Sequence, residues 1–165
     1  MKNNLVLYSQ SLDLNQEEWQ RSGCGIASLG MILGNKISDL NELYQLGLDT
    51  NAYLPGIGWK HQGLVDLAKH FGFLSSYNLD LAQMDTSEAL AKLKDELKNG
   101  PVIVSVFAHY EHGHKEGHLI VLSSLNDSEA EVLDPAAPTR EDIHQLIPTE
   151  KFVTGWKKRL IVVRL

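Results

Sequence analysis

The chain holds one cysteine, Cys24, among 165 residues, so no intramolecular disulfide can form and the fold must rest on its apolar core. A disulfide-stapled scaffold is thereby excluded. No apolar run reaches the length needed to cross a bilayer, which excludes insertion into a membrane as a helix. Positive charge is also scarce: 15 Lys and Arg stand against 21 Asp and Glu, for a net charge of −6. Nucleic acid is therefore not an expected partner, since binding it requires a basic face. The one basic cluster, Lys157-Lys158-Arg159, reads as a solvated turn ahead of the last strand. Internal repeats and low-complexity linkers are missing too, so residues 1–165 are expected to form one domain. Few apolar residues follow Met1-Lys2-Asn3-Asn4, and no secretion signal is expected there. If Met1 is the native start the compartment is cytoplasmic; removal of a leader would make it extracellular. A lone thiol suits a reducing interior without excluding export.

What is present centres on that thiol. Cys24 lies between Gly23 and Gly25 and opens the apolar run Ile26 to Leu33, which has the composition of a buried helix. A thiol in a first helical turn feels the unpaired backbone N–H groups, which favour thiolate, and flanking glycines leave room for a substrate backbone. By itself this equally describes an inert core cysteine. Two further residues change the balance. His118 follows Gly117 at the start of a strand-like run, and Asp134 ends another just before Pro135. A thiol hydrolase needs a thiolate, an imidazole to pair with it, and an acceptor that holds the imidazole's tautomer. If the two strands are neighbours joined through the Asn126-Asp127 turn, His118 and Asp134 come side by side.

Taken in order, Leu7-Tyr8-Ser9-Gln10, Trp19, Gly23-Cys24-Gly25 with Ser28 and Met31, Gly100-Pro101-Val102-Ile103-Val104, Gly117-His118-Leu119-Ile120-Val121 and Leu133-Asp134-Pro135 resemble the C39-like branch of papain-fold cysteine peptidases. The resemblance spans nearly the whole chain. It implies a papain-like α+β fold and a bacterial peptidase or amidase with Cys24 as nucleophile, His118 as general base and acid, and Asp134 as orienting residue. It also implies a glutamine ahead of the cysteine that completes the oxyanion hole. Gln10, Gln16 and Gln20 all precede Cys24. Gln10 is favoured because an apolar-aromatic stretch precedes it, although the segment from it to Cys24 is longer than the family pattern. Gln20 is the runner-up, and Gln16 reads as a surface amide. Ile26 replaces a proline frequent in the family, a harmless change where the first-turn N–H is unpaired anyway. The chemistry requires no cofactor and no metal, and the expected partner is a peptide or amide substrate.

Along the chain, a helical half precedes a sheet half, an α+β layout. The helix Cys24 to Leu33 is followed by one capped at Asp39 with Leu40, Leu43 and Tyr44 inward, one carrying Leu64, Leu67, Ala68 and Phe71, and one capped at Asp85 with Leu90, Leu93 and Leu97. Beyond Pro101 the runs Val102–Phe107, His118–Ser124, Ala130–Leu133 and Leu160–Leu165 are rich in branched residues and read as strands of one antiparallel sheet. Pro135 to Pro138 reads as a loop and Thr149 to Trp156 as a short helix. The cysteine helix should pack on the sheet with the cleft between the halves.

Three other readings compete. His109, His112 and His114, with Glu111 and Glu116, crowd one loop and offer imidazoles to zinc, nickel or copper, though no CxxC or HExxH pattern accompanies them. The leading reading leaves these histidines exposed on the loop beside the cleft. An acyl transferase would use the same triad with an amine or thiol acceptor, and a binding module would have no chemical need for all three residues. Trp59 and His61 are candidates for a cleft wall or for packing, and Trp19 for a shield over the site. Trp156 reads as core, His70 as surface, and His144 has no evident role.

Overall fold

The computed structural model describes residues 5–165, so Met1-Lys2-Asn3-Asn4 lies outside it. Its centre is a six-stranded antiparallel sheet in the order β3-β8-β4-β5-β6-β7. The strands are β3 (Tyr77–Asp80), β4 (Val102–Phe107), β5 (Gly117–Leu125), β6 (Glu129–Leu133), β7 (His144–Pro148) and β8 (Trp156–Val162). Side chains alternate across a strand, and each face collects its own core. Ile103, Leu119, Val121, Leu133 and Ile161 face one way and pack with α3 (Cys24–Leu33), α4 (Leu40–Asp49) and α5 (His61–His70). Val104, Val106, Ile120, Leu122 and Leu160 face the other way, toward α6 (Thr86–Leu97) and α7 (Thr149–Gly155).

The α+β fold is therefore layered on both sides of the sheet. α6 covers the face opposite the cysteine helix with Ala89 and Leu93. Accordingly Val102 to Val106 of β4 are all buried, and a strand covered on both faces shows no alternation. Asp39 and Asp85 cap α4 and α6, accepting from Asn41 N and Glu88 N at 2.9 Å each. Leu40, Leu43 and Tyr44 on α4 and Leu64, Leu67 and Ala68 on α5 are buried, matching the helical period.

Several elements carry no strong pattern and escape a reading of the sequence. The edge strands β3 and β7 are short and mostly exposed, and α1 (Gln10–Asp13) and α2 (Glu17–Ser22) are too short for a helical stripe. A hairpin of β1 (Tyr53–Leu54) and β2 (Gly58–Trp59) occupies the glycine-rich loop. Lys157-Lys158-Arg159 is not a turn before the last strand but part of β8. There Val106 pairs with Trp156 and Ser105 with Arg159, so Lys157 and Lys158 form a bulge, with Lys158 at φ 57°. The same strand ends at Val162, short of Leu165.

Between β4 and β5 the chain makes a tight turn at Ala108–Tyr110 with His109 and Tyr110 both left-handed, at φ 57° and 58°. Two successive non-glycine residues in that region store strain and need packing to hold them. Gly155, at the end of α7, supplies it: a Cβ there would lie 2.5 Å from Tyr110 Cα. Gly155→Ala should therefore lower the unfolding free energy by about 1–3 kcal/mol in urea denaturation, the cost of overpacking against backbone that cannot yield. An unchanged or raised value would show that the turn moves freely from α7.

Candidate active site

Cys24 is the first residue of α3 and half-buried. The helix can lie close to β5 because Gly25 has no side chain; a Cβ there would fall 2.8 Å from the Trp59 ring and 3.1 Å from Leu119 Cδ1. One turn on, Ser28 is fully buried, and its hydroxyl donates to the carbonyl of Leu119 at 3.1 Å. Since Cys24 and Ser28 share a helix face, the bond that fixes Ser28 to the residue after His118 also sets the thiol beside the imidazole. Trp59 does not face the cleft: it is 8% exposed and donates its indole N–H to Ser22 O at 2.7 Å. Trp19 likewise stacks on Tyr44 at 4.3 Å between ring centres.

His118 lies at the start of β5, and Asp134 just past the end of the neighbouring β6. His118 Nε2 lies 2.7 Å from Asp134 Oδ1, with the two side chains 19% and 21% exposed. Asp134 Oδ1 also accepts from Ala136 N at 2.9 Å, and Asp134 N is held by Ile143 O at 2.8 Å. With Nε2 so engaged, Nδ1 is left for the thiol. Burial pushes the Cys24 thiol up, but hydrogen bonding and charge from His118, joined by the N–H groups of Leu119 and Gly25, outweigh it and hold the pKa below its ordinary value. Burial opposes the His118 imidazolium in turn, and the bonds to Asp134 and Cys24 overcome it, raising its pKa to about 10. Asp134 is raised by burial and lowered further by His118, for a net fall. The three groups thus favour a thiolate–imidazolium–carboxylate row.

Of the three glutamines, the structure brings only Gln10 to this cleft. It is 8% exposed at the start of α1, and its N–H donates to Pro135 O at 2.9 Å, next to Asp134. Its Nε2 donates to Gln20 O at 2.8 Å, which leaves one amide hydrogen for another acceptor. Gln20 turns its own side chain away, donating to Leu14 O at 2.7 Å, and Gln16 is exposed ahead of α2. The long segment between Gln10 and Cys24 is α2, and its Gln20 carbonyl is what grips the Gln10 amide.

Gln10, Cys24, His118 and Asp134 line a cleft of about 410 Å³ together with Phe107, Tyr110, Gly117 and Lys151. Tyr110 was not legible as a site residue; its signal is conformational. Its hydroxyl is buried without a hydrogen-bond partner, and burial, with the Asp134 charge added, raises its pKa, so the phenol stays a proton donor. Gln10 Oε1 is a second buried polar atom without a partner. Around the histidine loop, no three potential metal ligands converge among the described residues. His109 and His112 are exposed, whereas His114 is half-buried, correcting the expectation of full exposure; its Nδ1 accepts from Glu116 N at 3.0 Å. His144 belongs to β7, and its Nε2 lies 2.7 Å from Glu131 Oε1.

The model of the Peptidase_C39 like family matches residues 3–160. The chain belongs to that family. It is a C39-like cysteine peptidase, and its fold agrees with solved structures of that kind. A C39-like peptidase from Bacillus anthracis is 18% identical, covering 100% of this chain and 97% of its own, with a TM-score of 0.66. The peptidase domain of Streptococcus ComA, a bifunctional ABC transporter of a quorum-sensing pathway, is 20% identical with 99% of each chain covered and a TM-score of 0.62. A double-glycine-motif protease from an AMS/PCAT transporter, solved with its leader peptide, is 22% identical over 84% of this chain and 81% of its own, with a TM-score of 0.54. No curated protein sequence matches the chain. No helix among the described residues is long and apolar enough to cross a membrane.

Because Ser28 ties the C39-like cysteine helix to β5, Ser28→Ala should lower the unfolding free energy by about 1–3 kcal/mol, leaving a buried carbonyl short of a donor. The same variant should label more slowly with iodoacetamide. Unchanged labelling with the full stability loss would separate the bond from the thiol's placement.

Proposed function

We propose that residues 1–165 form one catalytic domain that hydrolyses a peptide or amide bond through Cys24, His118 and Asp134, with Gln10 in the oxyanion hole. The observation that carries this reading is the row itself, thiol beside imidazole and imidazole 2.7 Å from carboxylate, within a single cleft. Cys24 Sγ, as thiolate, attacks the substrate carbonyl. The carbonyl oxygen gains the negative charge, and the free Gln10 amide hydrogen and the Cys24 N–H, at the first position of α3 where a backbone N–H has no intrahelical partner, are the donors that receive it. His118 gives its Nδ1 proton to the departing amine as the C–N bond breaks, leaving a thioester on Cys24. Water then attacks the thioester carbonyl, losing its proton to His118, and the acid product leaves with the thiol regenerated. Asp134 keeps the ring oriented and stabilises the imidazolium throughout.

A peptide substrate is supported by the family and by the leader peptide bound to the transporter protease. Leader peptides, cell-wall peptides and small amides share the scissile group that this row attacks.

The test is the pH dependence of Cys24 alkylation by iodoacetamide, read by intact mass, which one cysteine makes unambiguous. The wild type should label rapidly below the ordinary thiol range. In His118→Ala the imidazole's stabilisation is gone while burial remains, so the midpoint should move above the free-thiol value of about 8.5. Identical profiles would remove His118 from the row. Asp134→Asn should keep part of the rapid labelling yet impair turnover, and full turnover would dismiss Asp134.

Gln10 is tested separately. Gln10→Ala should lower kcat by about 10²- to 10³-fold with little change in the alkylation profile, because an oxyanion donor acts on the transition state and not on the thiol. An unaltered kcat would pass the role to another donor.

A further inference from the structure

The protein carries a net −6, yet two lysines are seated on aromatic rings of the cleft wall. Lys151, from α7, holds Nζ 5.4 Å from the centre of the Tyr110 ring, and Lys157, from the β8 bulge, holds Nζ 4.9 Å from the centre of the Phe107 ring. Phe107, Tyr110 and Lys151 all line the cleft, as does Gly117, where a Cβ would meet Lys157 Nζ at 2.7 Å. Ring faces orient an ammonium but supply no counter-charge.

Among the described residues neither ammonium is paired with a carboxylate or donates a hydrogen bond, whereas Lys94, Lys98, Arg140 and Arg159 all have acidic partners. Lys151 is exposed, as are the other unpaired lysines Lys36, Lys60, Lys69, Lys92 and Lys115, but it lines the cleft and they do not. Lys157 is half-buried, and burial, aided by the Arg159 charge, lowers its pKa. His61 sits near Lys157 and Arg159 and brings no negative charge, and Asp80, the acid beside it, is taken by Arg159 at 3.3 Å. On the cleft wall Asp134 is committed to His118, which leaves Glu116 as the one acid against these lysines. Lys157 is thus a partly desolvated cation without a counter-ion, a cost that an arriving anion removes.

We propose that Lys151 and Lys157 are carboxylate-binding positions along the cleft, and that the substrate is an acidic peptide. This rests on the peptidase reading of Cys24 and its partners and adds the class of side chain that the cleft selects.

The experiment is protection of Cys24 from iodoacetamide by capped hexaglutamate, hexalysine and a Gly-Ser hexapeptide, each rate normalised to the same protein without peptide. Hexaglutamate should slow wild-type labelling at concentrations where the other two do not, and added salt should weaken the protection. The Lys151→Gln, Lys157→Gln double variant should lose at least about threefold of it, and Lys157→Arg should retain it, since the site reads charge. Equal protection by hexaglutamate and the Gly-Ser peptide, no protection, or full protection in the double variant would overturn the proposal. Slow wild-type labelling at every pH without peptide would instead overturn the thiolate reading; rapid labelling indifferent to hexaglutamate would overturn this inference alone.

Discussion

The close approach of α3 to β5 is the contact on which the rest depends. The thiol is on a helix, the imidazole on a strand, and nothing in the chain's local order brings the two together. What does so is a buried face in which Gly25 admits the Leu119 side chain and Ser28 spends its hydroxyl on the Leu119 carbonyl. The apolar burial around Ile26, Leu29 and Leu33 supplies the driving force but is non-directional. The single hydroxyl adds the register. It is fully sequestered from water, so a slip of α3 along β5 would strand it without an acceptor.

The sheet completes the arrangement by placing His118 and Asp134 at adjoining strand ends. Ile143 pins the Asp134 backbone, Pro135 receives the Gln10 N–H, and Gln10 is gripped in turn by Gln20. Thus one short stretch, 133–137, touches the imidazole, the glutamine segment and the loop leading to β7. Such overlap makes the site rigid on the side of the base and leaves the left-handed His109-Tyr110 turn as its strained border.

How much of this the sequence discloses depends on how each feature is encoded. Strong helical stripes with a capping aspartate, as at Asp39 and Asp85, can be read directly, as can the thiol in its glycine setting and the branched run from Val102 to Val106. The edge strands β3 and β7 carry little burial, and a half-exposed four- or five-residue segment has no pattern to distinguish it from a loop. The β8 bulge defeats period-based reading outright, because two inserted residues put charged side chains where alternation expects a strand's core. Tyr110 is invisible for another reason: what marks it is a positive φ and an orphaned hydroxyl, both properties of the folded backbone.

The hold on Gln10 has an evolutionary side. Its partner is the main-chain carbonyl of residue 20, a group every amino acid supplies. The identity of residue 20 is therefore released from this duty, and drift there would leave the Gln10 amide in place. Shortening α2 would not, since removing one residue rotates the carbonyl about the helix axis by roughly 100°. Purifying selection on the glutamine would then register as intolerance of insertions and deletions in 17–22, while substitutions passed unmarked.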